Sequence, residues 1–219
     1  MSTMPQTGLL TEEECYQRLR KAIVDGTLMP NQHLVEMDLV KSMNASRATV
    51  RTVLARLEQE GLVERERYRG ARVRMVTHAE AVEILEVRAA LEALIARYAA
   101  MHATDADVAA LQEILEDMRR CQERNDLISY SENNARLHRK LVAMAGHHTA
   151  ERLLDTLNSQ SVRYQYRTIM AQGRPESSLR EHREIVDAVA ARNPDAAEAA
   201  MKIHLAHVCE TLRQIKPGV

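Results

Sequence analysis

The 219-residue sequence contains no phenylalanine and no tryptophan, and its only aromatic residues are six tyrosines. Its core must therefore be built from Leu, Ile, Val, Ala and Met, which favour packing of helix on helix over a β-sandwich. An apolar run of about 18 residues is also missing, which argues against a membrane-spanning helix. Because residues 1–10 lack a basic stretch followed by an apolar one, we expect no secretory signal.

Cysteine is scarce, and the net charge is close to zero. Cys15, Cys121 and Cys209 are far apart and form no CxxC pair, which is typical of free thiols in a reducing compartment. We therefore expect a cytoplasmic protein. The net charge is −1, but between residues 44 and 76 eight arginines stand against four glutamates. This basic segment favours a nucleic acid as the partner of the N-terminal part alone.

Residues 1–76 show the pattern of a small DNA-binding domain. Capping residues such as Ser46 and apolar residues at helical spacing predict three helices, after which the period changes to that of two short strands. The predicted elements are helices at about 12–25, 36–43 and 47–60 and strands at 62–66 and 71–76. Three helices followed by a hairpin indicate a winged helix-turn-helix.

Residues 77–219 show a helical pattern throughout. Apolar stripes, caps and breaks at glycine or proline predict a bundle of about six helices, large enough for its own core. The fifth of these helices is expected to begin at Ser177, after a break at Gly173 and Pro175. We therefore expect a mostly α protein with two domains.

Two runs of sequence carry a family resemblance. Ala22–Pro30 and Ala45–Val63, with Leu34 and Leu39, resemble the DNA-binding domain of the GntR family. The helical domain is similar to the FCD domain of the FadR subfamily. The sequence departs from the family pattern at Asn31, where Gly is usual, and near Ala48, where Thr is common. The resemblance implies a transcription regulator that responds to a ligand.

The third predicted helix carries the candidate DNA contacts. Arg47 and Arg51 are one turn apart at its N-terminus, the part of a recognition helix that reads bases, and arginine commonly binds guanine through two hydrogen bonds. Ser46 and Thr49 can donate to phosphates. The alternative is that both arginines are ordinary solvated charges. The resemblance assigns DNA-contacting positions to Ser46, Arg47, Thr49, Arg51 and Gly70. In the wing, we expect Arg67, Arg69 and Gly70 to approach either the DNA backbone or the minor groove.

Histidine is frequent, with nine residues, and three histidines lie on apolar faces of different predicted helices. His138 follows Asn134 by one turn, and His182 and His204 fall within apolar stripes, so the three rings can converge in the bundle core. Imidazole nitrogens suit Zn, Ni, Fe or Mn and leave positions open for a ligand. The resemblance implies one divalent ion per chain, held by Asn134 and the three histidines. The alternatives are hydrogen-bonded core histidines and an Asn134 that holds a water.

Arg88 is the candidate residue for binding an effector. It matches a family arginine, and a desolvated guanidinium is a natural partner for a carboxylate. The alternative is a surface salt bridge from Arg88 to Glu92. Tyr130, Arg163 and Tyr164 are further candidates for the lining of a pocket, and the other six histidines are interpreted as surface or capping residues.

These observations leave several functions open. The first is a homodimeric regulator, a repressor, whose binding to a double-stranded DNA operator is controlled by a small organic acid at a metal site. The second is a metal-dependent hydrolase or lyase that uses the histidines, although the sequence contains no HExxH motif. The third is constitutive DNA binding with a pocket that no longer functions.

Overall fold

The structure is a computed structural model that describes residues 9–66 and 70–215. The chain divides into two compact units, with the boundary between Val76 and Thr77. Within the described segments, no helix has the length and apolar character needed to cross a membrane.

The first unit contains helices and a small antiparallel sheet, as a winged helix-turn-helix requires. Its elements are α1 (Glu12–Val24), β1 (His33–Leu34), α2 (Glu36–Met43), α3 (Arg47–Gln59), β2 (Val63–Glu66) and β3 (Gly70–Val73). The strand order in the sheet is β1-β3-β2. The predicted class of this unit is confirmed.

Local capping fixes the turn between α2 and α3. Asn44 ends α2 in the left-handed conformation, with φ of 48°, which asparagine tolerates better than most residues. Ser46 then begins α3, and its hydroxyl accepts the backbone N–H of Thr49 at 3.0 Å. Val53 and Leu54 bury the inner face of α3. This packing leaves the opposite face and the N-terminus of α3 available to a partner.

The strand β1 is too short to have been predicted from an alternating pattern. It follows Asn31, which has a φ of 63° and donates its backbone N–H to the carbonyl of Val73 at 2.8 Å. Asn31 stands where the family resemblance leads one to expect glycine. The left-handed backbone explains both residue types, because each tolerates positive φ.

Gly70 is required by the sheet itself. Its φ is +91°, and a Cβ at this position would lie 2.8 Å from the carbonyl oxygen of Leu34 in β1. The glycine therefore permits the close approach of β1 and β3. This role is structural and is independent of any contact with DNA.

Gly70→Ala is expected to lower the free energy of unfolding of the first unit by about 2–4 kcal/mol, because backbone strain and steric overlap add. Gly146→Ala is the matched control, since Gly146 also has a positive φ but a Cβ there would meet no atom within 4 Å. The control should cost about 1 kcal/mol in the second unit. Denaturant unfolding measures both, and equal losses would contradict the role assigned to the Leu34 contact.

The second unit is all-helical in its described part, and the six predicted helices are confirmed. They are α4 (His78–His102), α5 (Asp105–Glu123), α6 (Leu127–Ala145), α7 (His148–Ile169), α8 (Arg174–Ala190) and α9 (Pro194–Gln214). The start expected for the fifth helix was wrong, since α8 begins three residues before Ser177. Gly173 precedes it with φ of 74°, and Pro175 lies in the first turn, where no backbone N–H is needed.

The helix α4 lies at the centre of this unit and packs against α6, α7, α8 and α9. The buried residues of the helices around it are mainly aliphatic or methionine, such as Leu137 and Met201, together with the fully buried Tyr130. Because several faces of α4 are covered, polar residues on it are forced into the interior. Arg88 and Glu92 are both buried for this reason.

Candidate metal centre and nucleic-acid interface

Three histidines from three helices meet in the core of the helical unit. His138 lies on α6, His182 on α8 and His204 on α9, and each offers a ring nitrogen within 4.8 Å of the others. His182 and His204 are buried, and His138 is partly buried. The sequence therefore predicted the convergence of these three side chains correctly.

In each of the three rings, Nδ1 lies within hydrogen-bond distance of an oxygen atom of a neighbouring side chain. Nδ1 of His138 lies 2.5 Å from a carboxylate oxygen of Glu92, and Nδ1 of His204 lies 2.7 Å from one of Glu181. Nδ1 of His182 lies 3.2 Å from the hydroxyl of Ser178. With Nδ1 occupied, Nε2 of each ring is the atom left to bind a metal. This carboxylate–histidine arrangement is the usual outer shell of a metal site.

The spacing of the nitrogens also fits a metal. Nε2 of His138 lies 3.2 Å from Nε2 of His182. Two nitrogens bound to one tetrahedral ion at 2.0–2.1 Å would lie about 3.3 Å apart. Three imidazole nitrogens suit Zn, Ni, Fe or Mn, so the donor set and its geometry are compatible with a divalent transition metal.

Two buried arginines hold the carboxylates in place. Arg88 donates from Nε and Nη2 to Oε1 of Glu92, at 3.1 and 2.6 Å. Arg174 binds Glu181 through two hydrogen bonds at 2.9 and 2.7 Å. Both pairs are buried. The alternative considered for Arg88, a salt bridge to Glu92 at the surface, is therefore right about the pair but wrong about its place, since the pair lies in the core.

The charges around the site keep the carboxylates ionised. Burial raises the pKa of Glu181, but hydrogen bonds and charge from His204 and Arg174 outweigh burial and bring this pKa to about 2. Burial also raises the pKa of Glu92, but Arg88 and His138 outweigh burial and hold this pKa well below its usual range. Both residues are thus anionic hydrogen-bond acceptors at neutral pH.

Burial has the opposite effect on two of the histidines. It lowers the pKa of His204 to about 4 and that of His182 well below its usual range, with the neighbouring cationic groups adding to the effect. Both imidazoles are therefore neutral at pH 7. A neutral imidazole has the free lone pair that a metal ligand needs.

A cavity of about 40 Å³ adjoins the histidines. Asn134, Arg88 and Tyr130 line it, together with His138 and His204. The hydroxyl of Tyr130 donates to the carbonyl of Pro175 at 3.1 Å. The position of Asn134 beside the histidines is compatible with either role considered for it, as a ligand or as the holder of a water.

Four residues of this site were not identified from the sequence: Glu92, Arg174, Ser178 and Glu181. The late start assigned to α8 left Arg174 outside the helix and so concealed its one-turn spacing with Ser178 and His182. His207, interpreted as a surface residue, is largely exposed, but its Nδ1 lies 2.8 Å from Glu181. Arg163 is absent from the described cavity linings, whereas Tyr130 and Tyr164 are present.

The N-terminus of α3 presents the two candidate base-reading arginines at the surface. Nε of Arg51 donates to Glu36 of α2 at 2.9 Å, while the side chain stays 64% exposed. Among the described residues, neither terminal Nη group of Arg51 has a hydrogen-bond partner, so both can donate to a base. Arg47 is also exposed, and its Nη2 lies 2.7 Å from the sulfur of Met37.

The other candidate contacts divide into two groups. The hydroxyls of Ser46 and Thr49 lie 2.9 Å apart and share one hydrogen bond, so one hydroxyl hydrogen remains for a phosphate. Gly70 has the structural role described above. Arg67 and Arg69, expected to approach DNA from the wing, lie outside the described residues.

Two family models match the chain. Residues 11–73 match the bacterial regulatory proteins of the gntR family. Residues 83–207 match the FCD domain. Together the two matches cover most of both compact units.

Curated relatives and solved structures agree with these matches. The chain is 30% identical over 204 residues to the HTH-type transcriptional repressor RspR of Escherichia coli K12, covering 93% of this chain and 90% of that protein. It is also 30% identical to the transcriptional repressor NanR of Salmonella newport, over 92% and 84% of the two chains. The structure of E. coli McbR/YncC has a similar fold, with a TM-score of 0.75 at 19% identity over 93% and 97% of the chains.

Proposed function

Because the chain belongs to the GntR family of bacterial regulatory proteins and carries an FCD domain, it is a DNA-binding transcription regulator, and we propose that a small carboxylate at a metal site controls its binding to DNA. One observation carries the proposal. Three core histidines each have Nδ1 held by an oxygen, in two cases a buried carboxylate, and so direct a free nitrogen to one point.

His138, His182 and His204 would hold the ion, with Asn134 beside them as a fourth ligand or as the holder of a water. A bound divalent ion would supply positive charge and open coordination positions for an oxygen ligand. Glu92 and Glu181 keep the rings oriented and raise their basicity. This combination of neutral imidazoles and carboxylates behind them supports a cation site.

Arg88 would bind the carboxylate of the effector. Its Nε and Nη2 are used by Glu92, but Nη1 has no hydrogen-bond partner among the described residues. Arg88 also lines the cavity beside the histidines. A buried guanidinium with a free N–H that borders a cavity is a suitable site for an anionic oxygen.

We further propose a cytoplasmic homodimer that acts as a repressor. One winged helix reads a half-site too short for useful affinity, and two-fold symmetry doubles the contacts on a palindromic operator. RspR and NanR are named as repressors, which supports the same sign of regulation here. A hydrolase or lyase is not supported, because the family and the relatives are transcription regulators.

Arg51→Ala is expected to weaken binding to a DNA duplex selected by the protein by about 5- to 150-fold, which corresponds to about 1–3 kcal/mol for a lost base contact. Fluorescence anisotropy at fixed salt measures the affinity. Thr49→Ala should weaken selected and unselected duplexes about equally, as expected for a phosphate contact.

Arg18→Ala is the matched control, since it removes one exposed positive charge from α1 of the same unit. It should change both affinities only slightly. If Arg51→Ala and Arg18→Ala bind the selected duplex equally well, Arg51 does not read a base.

Ligand control is tested by adding a carboxylate to the metal-loaded protein on its selected duplex. Coupling between two sites of this kind changes affinity by about 5- to 150-fold. A carboxylate that binds the protein and leaves its DNA affinity unchanged would contradict this part of the proposal.

A further inference from the structure

The cavity beside the histidines adjoins a second cavity of different character. The second has a volume of about 10 Å³ and shares Arg88, Gln165, Thr168 and Val208 with the first. It lies between α4, α7 and α9. We name it the tail chamber, because it extends from the site proposed for the carboxylate.

The surface that lines the tail chamber is apolar, although polar side chains also border it. Ala81 and Leu85 of α4 and Val208 and Leu212 of α9 contribute to it, and none of the four can form a side-chain hydrogen bond. A ligand group in this chamber would lose its hydration and gain only apolar contact. An alkyl group tolerates this exchange, whereas a hydroxyl without a partner does not.

Of the polar side chains that border the chamber, Ser161, Gln165 and Thr168 use their donors for hydrogen bonds within α7, and the hydroxyl-bearing Tyr164 and the charged Arg88 border it as well. The hydroxyl of Ser161 donates to the carbonyl of Leu157 at 2.8 Å, and that of Thr168 donates to the carbonyl of Gln165 at 2.7 Å. The amide of Gln165 donates to Asn158 and to Ser161, each at 3.2 Å. These three residues therefore have no donor left for a hydroxylated ligand.

Arg88 stands at the boundary between the two cavities. It is buried and lines both cavities, and its Nη1 has no hydrogen-bond partner among the described residues. A carboxylate bound there would have the histidines on one side and the tail chamber on the other. This arrangement fixes the direction of the ligand.

We infer that the effector is a short-chain alkyl monocarboxylate whose tail occupies the tail chamber. The inference rests on the proposed function, since it takes the carboxylate site as given. A volume of about 10 Å³ holds about one water-sized group, which is also the size of a methyl group. The tail is therefore short, and we expect the best fit for a chain of three or four carbons.

The experiment is isothermal titration calorimetry of the zinc-loaded full chain with acetate, propionate, butyrate and hexanoate. Affinity should rise about fourfold per methylene up to butyrate, as expected for the burial of one methylene, and should fall for hexanoate. Threonate, the four-carbon acid with three hydroxyls, should bind at least tenfold more weakly than butyrate.

Leu85→Ala enlarges the chamber and should move the optimum to five or six carbons. Leu111→Ala is the matched control, because it removes the same atoms from a buried position of α5 that lines neither cavity. The control should keep the optimum of the wild type. If Leu85→Ala does not fold, Leu85→Val provides a smaller enlargement with the same expected direction.

The possible outcomes distinguish the tail chamber from the carboxylate site on which it depends. Equal affinity for all chain lengths, or tighter binding of threonate than of butyrate, would overturn the tail chamber and leave the carboxylate site in place. If no carboxylate of any length binds, the proposed function fails and the inference fails with it. An optimum that moves with Leu85→Ala alone would support both.

Discussion

Replacing His182 by alanine is expected to remove the stoichiometric divalent ion from the purified protein. His182 is fully buried, lies on α8, and would supply one of three ligand nitrogens. Its loss leaves two imidazoles and a gap that no neighbouring carboxylate fills, since Glu92 and Glu181 are engaged by Arg88 and Arg174. The neutral ligands that remain, two imidazoles with or without Asn134, are not expected to retain the ion through purification.

The measurement is elemental analysis of tag-free protein after gel filtration. The wild type should contain one ion per chain, and His182→Ala almost none. His148→Ala is the control, because His148 is 91% exposed and belongs to the same unit. Glu181→Gln should lower the affinity about 10- to 100-fold, as expected for an outer-shell partner. Full metal content in the His182→Ala protein would rule the site out.

Glu92→Leu is expected to destabilise the metal-free protein by about 3–5 kcal/mol, because it leaves the Arg88 charge buried without a partner. Nδ1 of His138 would lose its acceptor as well. Urea unfolding at pH 7 measures the loss. Glu116→Leu breaks an exposed pair with Arg119 and should leave the stability nearly unchanged.

A double variant distinguishes the unpaired charge from simple loss of packing. Arg88→Met combined with Glu92→Leu should be more stable than Glu92→Leu alone, since no buried charge remains. Because the pKa of Glu92 is held below its ordinary value of 4.5 in the folded protein, its stabilising effect is present above this pH. The difference between wild type and Glu92→Leu should therefore shrink as the pH falls below 4.5. Additive losses in the double variant would contradict the role of the pair.

The sequence predicted helices where caps and apolar spacing agree, and it failed where a signal was short or local. The bounds of α2 were predicted closely because Asn44 marks its end. The strand β1 has two residues, too few for any period to appear. The start of α8 was placed late because Pro175 was interpreted as a break, although proline is also favoured in the first turn of a helix.

The sequence predicted the three histidines of the candidate site but not the residues that hold them. The three histidines lie on apolar stripes, so their convergence follows from helix packing. Their partners could not be found in the same way, because whether Glu92 is exposed depends on how many helices surround α4. An i, i+4 pair of opposite charge looks the same in sequence at the surface and in the core.

The central claim is that the metal site controls the binding of DNA. It is tested most directly by the affinity of the zinc-loaded protein for its selected duplex, measured with and without saturating butyrate. The wild type should lose about 5- to 150-fold in affinity, and the duplex should weaken butyrate binding by the same factor. His182→Ala should bind the duplex as tightly as the butyrate-free wild type and should not respond to butyrate. The account would be contradicted if butyrate weakened DNA binding equally in the wild type and in His182→Ala. It would also be contradicted if butyrate changed the DNA affinity of neither protein.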